Sequence, residues 1–285
     1  MKPIIKWVGG KTQLLKELKE IIVPSLKEDS YYYEPFCGGA ALALDLEHKN
    51  TILNDLNSEI INMYKVIKQS PEELITELKG FQNNHNTEFY YRIRDLDRTK
   101  ALSQMTDIAK AARTIYLNKT CFNGLYRVNS KGQFNSPIGR TSSGKTPDIV
   151  QEDLIREMSK FLKTVQFHCG NYKEPLVSAK NGDVVFFDPP YDQDESISSE
   201  GFVGYQKEGW TRKDLEKLKM LCDELSTKGI KVVLTNNDTE FVRNLFAEYN
   251  FKEVEVKRSI NRDGNKRKGS HCMSLLIARA MLKTS

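Results

Sequence analysis

The sequence predicts an α/β protein: a doubly wound, mostly parallel sheet, interrupted after its second strand by a mainly helical insertion. Three observations predict it. Short apolar runs alternate with helical patterns at both ends of the chain, as consecutive strand–helix units require. That alternation stops between Ser58 and about Lys163, where the apolar spacing is mostly helical. The last two apolar runs are joined by a hairpin-length turn, which makes them antiparallel.

In chain order, Lys11 to Ile22 carries Leu14, Leu15, Leu18, Ile21 and Ile22 at helical spacing. Tyr31 to Phe36 reads as a strand, Cys37-Gly38-Gly39-Ala40 as a glycine turn, and Ala41 to Leu46 as a helix. Thr51 to Leu53 is the second strand, ending at Asn54-Asp55. In the insertion, Ser70-Pro71-Glu72-Glu73 signals a helix start, with Ser70 as cap and Pro71 in the first turn. Met105 to Leu117 and Pro147 to Leu162 are further helices. Between these two, Thr120 to Thr146 is rich in Asn, Gly, Ser, Lys and Arg and reads as a polar loop or hairpin outside the core. Loops of that length in compact domains are usually functional.

Strands resume with Val165 to His168 and Asp183 to Phe187. Thr211 caps a helix running to about Leu225 and closed by Gly229. Ile230 to Leu234 is a buried strand, and Thr239 to Tyr249 a helix. Phe251 to Ile260 and Cys272 to Ala280 are the closing strands, flanking a basic turn from Asn261 to Gly269. Residues 1–57 and 164–285 are thus expected to form the sheet domain, and residues 58–163 the insertion.

Composition narrows the function classes. With 39% hydrophobic and 28% charged residues the chain can bury a core and is expected to be soluble. No apolar run approaches the roughly 18 residues of a membrane span, and the N-terminal residues lack a signal peptide's pattern. A cytoplasmic protein is the expectation. Cys37, Cys121, Cys169, Cys222 and Cys272 are dispersed, with no Cys-x-x-Cys pair. Reduced thiols are expected, without a disulfide framework or a metal. A net charge of +5 is too mild to identify a nucleic-acid partner by sign alone.

Asp188-Pro189-Pro190-Tyr191 is the strongest chemical signal. It follows the apolar run Val184 to Phe187, at the strand's carboxyl end, where open α/β sheets bind ligands. Two prolines remove two backbone donors and fix φ twice, so the turn is rigid and its carbonyls are free to accept. If Asp188 and the Pro189 carbonyl accept the two N–H bonds of an aromatic amine, its nitrogen can pyramidalise and attack a sulfonium methyl. Tyr191 would stack on the base. On its own the tetrapeptide reads equally well as a plain Pro-Pro turn with a helix-capping Asp.

Glu34-Pro35-Phe36-Cys37-Gly38-Gly39-Ala40 places glycines between strand and helix, where a backbone can approach a cofactor. It is not the Gly-x-Gly-x-x-Gly fingerprint, which disfavours a dinucleotide. Asp55, at the end of the next strand, stands where an acid takes ribose hydroxyls, and together they favour a nucleoside-type cofactor. Lys6-Trp7-Val8-Gly9-Gly10-Lys11-Thr12 ends like a P-loop, but Ile5 occupies the position that needs glycine. It reads either as an ordinary helix start with a buried tryptophan, or as a loop over the cofactor in which Trp7 packs and Lys11 reaches a carboxylate.

These segments, in this order and with a helical insertion before Asp-Pro-Pro-Tyr, resemble the Dam family of DNA adenine-N6 methyltransferases and their restriction–modification relatives. A fourth segment agrees: Phe122-Asn123-Gly124-Leu125-Tyr126-Arg127-Val128-Asn129-Ser130, continuing through Gln133 to Arg140. From composition it is a solvated polar loop; by resemblance it is the target-recognition hairpin of enzymes that read GATC. The resemblance implies a Rossmann-like class I methyltransferase sheet with an antiparallel final strand. It implies S-adenosylmethionine as methyl donor, with Trp7, Lys11, Phe36, Gly38, Asp55, Asn171, Tyr172 and Asp188 at the donor and Asp55 on its ribose. Asp188, Pro189, Pro190 and Tyr191 would hold an adenine flipped out of duplex DNA. Asn123, Leu125, Arg127 and Pro137 would contact bases, and Lys131, Arg140 and Lys145 phosphates.

One departure stands out. Family members often carry Gly-Asp-Phe after the third strand, and here Gly170-Asn171-Tyr172 takes that place. An asparagine oxygen still accepts a bond from the donor's adenine amine, without charge. The basic turn, Arg262 to Lys268 with Lys257 and Arg258 upstream, is read as a further phosphate contact. Double-stranded DNA is the expected partner of a monomer, with a cognate restriction endonuclease as a partner in function. Cytosine-C5 chemistry is disfavoured because no Pro-Cys site exists. Two alternatives remain open: a methyltransferase on RNA or a protein amide, and a DNA-binding module without catalysis.

Overall fold

A computed structural model describes residues 1–7, 9–139, 147–192, 209–257 and 271–278. Seven strands form one sheet: β1 (Tyr32–Glu34), β2 (Thr51–Asp55), β3 (Gln166–Cys169), β4 (Val184–Phe187), β5 (Lys231–Asn237), β6 (Asn250–Lys257) and β7 (His271–Ala278). Their order is β3-β2-β1-β4-β5-β7-β6. β1 runs parallel to β2 and β4, and β4 parallel to β5, whereas β7 is antiparallel to both of its neighbours. This is the mostly parallel sheet with a reversed final strand that the sequence predicts. Thr51 and Phe187 bound their strands as expected, the other strand ends whose expected positions lie among the described residues shift by one to three residues, and β2 extends to include Asp55.

The helices are α1 (Leu15–Ile22), α2 (Ala41–Leu46), α3 (Ser58–Gln69), α4 (Pro71–Asn83), α5 (Thr87–Arg94), α6 (Ala101–Gln104), α7 (Asp107–Thr120), α8 (Glu152–Leu162), α9 (Arg212–Thr227) and α10 (Glu240–Leu245). Lys11–Gln13, expected to be α-helical, forms a 3-10 turn before α1. Ser70 does not cap α4 with its side chain. Its N–H closes α3 on the Val66 carbonyl instead, so one residue ends one helix and starts the next. Thr211 caps α9 in a full capping box with Asp214. Gly229 follows with φ of 77°, and a Cβ there would lie 2.4 Å from Asn181 Oδ1.

The described chain divides into two compact units. The first comprises Met1–Gly10, Gly38–Lys49 and Asn54–Asn171, and the second Lys11–Cys37, Asn50–Leu53 and Tyr172–Ser285. These bounds differ from those expected at residues 57/58 and 163/164: α2, β3 and the N-terminal residues count with the insertion helices. In the first unit α3 packs on α7, and Tyr64, Ile67, Ala111 and Ile115 are fully buried. In the second, Val185 and Phe187 of β4 and Leu234 of β5 share a core with Leu215 and Leu218 of α9. β4 is buried at all four positions, the pattern of a strand covered on both faces.

The polar stretch after α7 takes the hairpin form expected of it and departs from expectation only in its share of the core. It is a hairpin, with antiparallel bridges Cys121↔Ile138 and Val128↔Phe134. It also contributes to the core: Phe134 is 1% and Tyr126 8% exposed, with their rings 5.3 Å apart. These two buried aromatic rings help to seat a loop whose composition is mostly polar.

Candidate active site

The Asp-Pro-Pro-Tyr turn lies in the second unit, and the sheet register explains its orientation. β4 and β5 pair in parallel with Phe187 opposite Leu234, which places Asp188 beside Thr235 one step on. Thr235 Oγ1 donates to Asp188 Oδ1 at 2.8 Å. Lys11 Nζ lies 2.6 Å from Asp188 Oδ2, and Lys11 as a whole is 6% exposed. Burial alone would lower the Lys11 ammonium, but Asp188 and Tyr191 hold it above the ordinary lysine range. The Lys11 ammonium also sits 4.8 Å from the Tyr191 ring centroid. Burial pushes the Tyr191 phenol up to about 12. A carboxylate offers about four lone-pair directions, so these two bonds orient Asp188 and leave it able to accept more.

The residue after the tetrapeptide carries a latch that sequence reasoning missed. Asp192 N–H donates to Asn236 Oδ1 at 2.9 Å, and Asn237 Nδ2 donates to the Asp192 carbonyl at 2.6 Å. The Asp192 carboxylate accepts from Arg212 Nε at 3.0 Å and Thr239 Oγ1 at 2.7 Å. The signal was legible in Thr235-Asn236-Asn237, a polar run at the carboxyl end of an otherwise apolar strand. Phe36, in the same unit, stacks on Tyr172 with centroids 5.1 Å apart, and Trp210 meets both rings edge-on. Trp210 was also missed.

The glycine turn and Asp55 lie in the first unit. Asp55 Oδ2 accepts the Gly38 N–H at 2.8 Å, and Oδ1 accepts the Asn57 N–H at 2.8 Å. Burial raises the Asp55 carboxyl above its usual range against the opposing pull of these amide bonds. Gly170 N–H donates to the Asp55 carbonyl at 3.2 Å, and Asn54 Nδ2 to the Gly170 carbonyl at 3.1 Å. Gly170 therefore anchors the exposed Asn171 near Asp55. Gly38 has φ of +44°, and a Cβ there would lie 2.5 Å from Trp7 Cδ1. The space that glycine provides is thus filled by the Trp7 indole, which also packs on Tyr126 at 5.1 Å. Gly38→Ala is expected to destabilise the fold by about 1–3 kcal/mol, read as a lower urea midpoint, because strain and the indole clash act together.

The hairpin, also in the first unit, exposes Asn123, Arg127, Lys131 and Pro137, with Leu125 half-buried. Asn123 takes left-handed backbone angles at φ 57°. Arg127 Nε donates to Asn135 Oδ1 at 2.7 Å across the two limbs. Asn118 Nδ2 donates to the carbonyls of Lys6 (2.7 Å) and Gly124 (3.2 Å), fixing the base of the hairpin. Arg140, Lys145 and residues 258–270 of the basic turn lie outside the described residues, as does the side chain of Lys257. Among the described residues there is no group of three or more His, Cys, Asp or Glu able to hold a metal ion. None of the described helices is long and apolar enough to cross a membrane.

Residues 7–260 match the sequence model of the D12 class N6 adenine-specific DNA methyltransferases. The chain is 36% identical over 261 residues to a type II methyltransferase of Lactococcus lactis subsp. cremoris, covering 91% of this chain and 89% of that protein. It is 38% identical over 284 residues to a type II methyltransferase of Methanocaldococcus jannaschii, covering 94% and 96%. A retron Ec67 DNA adenine methylase of Escherichia coli is 32% identical over 261 residues, covering 91% and 86%. The matched range spans nearly the whole chain, and the chain belongs to the D12 class of N6 adenine-specific DNA methyltransferases.

Proposed function

We propose that the chain transfers a methyl group from S-adenosylmethionine to N6 of an adenine flipped out of duplex DNA, within GATC. The observation that carries this reading is the Asp188 carboxylate, oriented by Lys11 and Thr235 at the mouth of a buried strand, with acceptor capacity to spare. Asp188 and the Pro189 carbonyl accept hydrogen bonds from the two N–H groups of the adenine amine, which lets the nitrogen pyramidalise and frees its lone pair for in-line attack on the methyl carbon. The N–C bond forms as the S–C bond breaks, the sulfur leaves as a neutral thioether, and the methylated nitrogen loses one proton to solvent. Tyr191 stacks on the base, whose extraction from the duplex the chemistry requires.

The donor set of the first unit fits a nucleoside better than a nucleotide. The Gly38 amide, which a phosphate would need, is already donated to Asp55. Asp55 keeps lone pairs for ribose hydroxyls, and Asn171 accepts from the purine amine. Trp7, Lys11, Phe36 and Tyr172 complete the donor-binding set. When bound, S-adenosylmethionine supplies a methyl carbon activated by its sulfonium charge. Asn123, Leu125, Arg127 and Pro137 read base edges, and Lys131 and Arg140 meet phosphates.

Tritium transfer from labelled donor to duplex DNA, RNA and protein side by side tests the acceptor. Label in duplex DNA alone is expected; label only in RNA or protein overturns the reading. Sequencing methylated DNA from an expressing host identifies the site. Arg127→Ala is expected to cost about 1–3 kcal/mol of discrimination at one base pair, measured as methylation of singly substituted duplexes. A uniform loss on all duplexes would instead make Arg127 a phosphate contact.

A further inference from the structure

The loop after α7 rests on a buried charge. Arg113, on α7, is 1% exposed, the largest fully buried side chain among the described residues. Its Nη2 lies 2.9 Å from Asp97 Oδ2 and its Nη1 3.6 Å from Glu59 Oε1. Nε donates to the Ile93 carbonyl at 3.0 Å and Nη2 to the Arg94 carbonyl at 2.8 Å. Both carboxylates also hold the loop. Asp97 Oδ2 accepts the Phe134 N–H at 2.7 Å, and Glu59 Oε2 accepts the Tyr126 hydroxyl at 2.8 Å. Arg98, paired with Asp97 at 2.7 Å, donates to the Phe134 carbonyl at 3.0 Å.

The two limbs are therefore pinned separately, Tyr126 on the outgoing one and Phe134 on the returning one, through two acids that share one arginine. Arg127 and Asn135 are the next residues on each limb, and their side chains bond to each other. Packing alone does not call for this arrangement. Tyr126 and Phe134 would bury their rings without it, and an apolar side chain at position 113 would avoid the desolvation cost of a buried cation. A network of charged groups instead fixes one register, because moving either limb would break a bond to a buried carboxylate.

We propose that Arg113, Asp97 and Glu59 are positioning residues for sequence discrimination, holding the Arg127–Asn135 pair in the one register that meets a base edge. The inference rests on the reading of residues 122–140 as a recognition hairpin.

The test compares Tyr126→Phe, which removes one hydroxyl, with Asp97→Asn, Glu59→Gln and Arg127→Ala in the full chain. Each variant is assayed on its best-methylated duplex and on duplexes with single substitutions in that site, alongside donor KM and Tm. Tyr126→Phe and Asp97→Asn are expected to lower discrimination about 10-fold, with donor KM unchanged and kcat on the best duplex within about 3-fold. Glu59→Gln keeps a neutral acceptor for Tyr126 and is expected to fall between them and the parent. A folded Tyr126→Phe with parental discrimination, beside an Arg127→Ala that loses it, overturns the positioning role and leaves the hairpin reading intact. If Arg127→Ala also discriminates normally, the hairpin reading falls and the positioning role with it.

Discussion

Asp188→Ala is expected to lower turnover on duplex DNA by about 10³-fold or more while duplex affinity stays within a few fold. The carboxylate is the proposed acceptor for the adenine amine, and nothing else in the Thr235–Asp188–Lys11 group offers an anionic oxygen there. The same change removes the carboxylate 2.6 Å from Lys11, which is buried. Breaking a buried ion pair from one side typically costs about 3–5 kcal/mol. Activity and stability should therefore fall together, and they can be separated. Asp188→Ala combined with Lys11→Met is expected to recover much of the lost Tm and none of the turnover. Near-parental turnover in the single variant would sink the amine-acceptor mechanism.

Asp55→Asn is expected to raise donor KM about 10- to 100-fold, with a smaller change in kcat and little change in duplex affinity. The carboxylate receives N–H bonds on both oxygens, from Gly38 and Asn57. Asparagine has one oxygen, so its NH2 would face one of these amides, and a buried donor would lose its acceptor. That loss is worth about 1–3 kcal/mol, and the glycine turn would shift with it. Isothermal titration with the donor checks it; an unchanged Kd would remove Asp55 from donor binding.

Much of this molecule was legible in its sequence, and the reasons are local. Val184 to Phe187 could only be a buried strand, and the Asp-Pro-Pro-Tyr turn after it could only sit at that strand's end. Thr211 and Asp214 announce the start of α9 within four residues. What escaped depended on register or on distance along the chain. Thr235 became a partner of Asp188 because β4 and β5 pair as they do, and although the sequence has Lys11 reaching a carboxylate, distance along the chain hid that the carboxylate is Asp188. Tyr126 and Phe134 looked like members of a solvated loop because their neighbours are polar, and composition averages over residues whose faces differ. Ser70 had the residue type of a cap, but its backbone was already closing α3.

The bonds on Asp192 have a consequence for how this chain can change. Backbone and side chain are both held, by Asn236, Asn237, Arg212 and Thr239, directly after Tyr191. Alterations further along the chain meet a fixed point before they reach the tetrapeptide. A substitution at Asn236, Asn237, Arg212 or Thr239 would therefore loosen the tetrapeptide from its carboxyl side through Asp192, without removing any of its own residues.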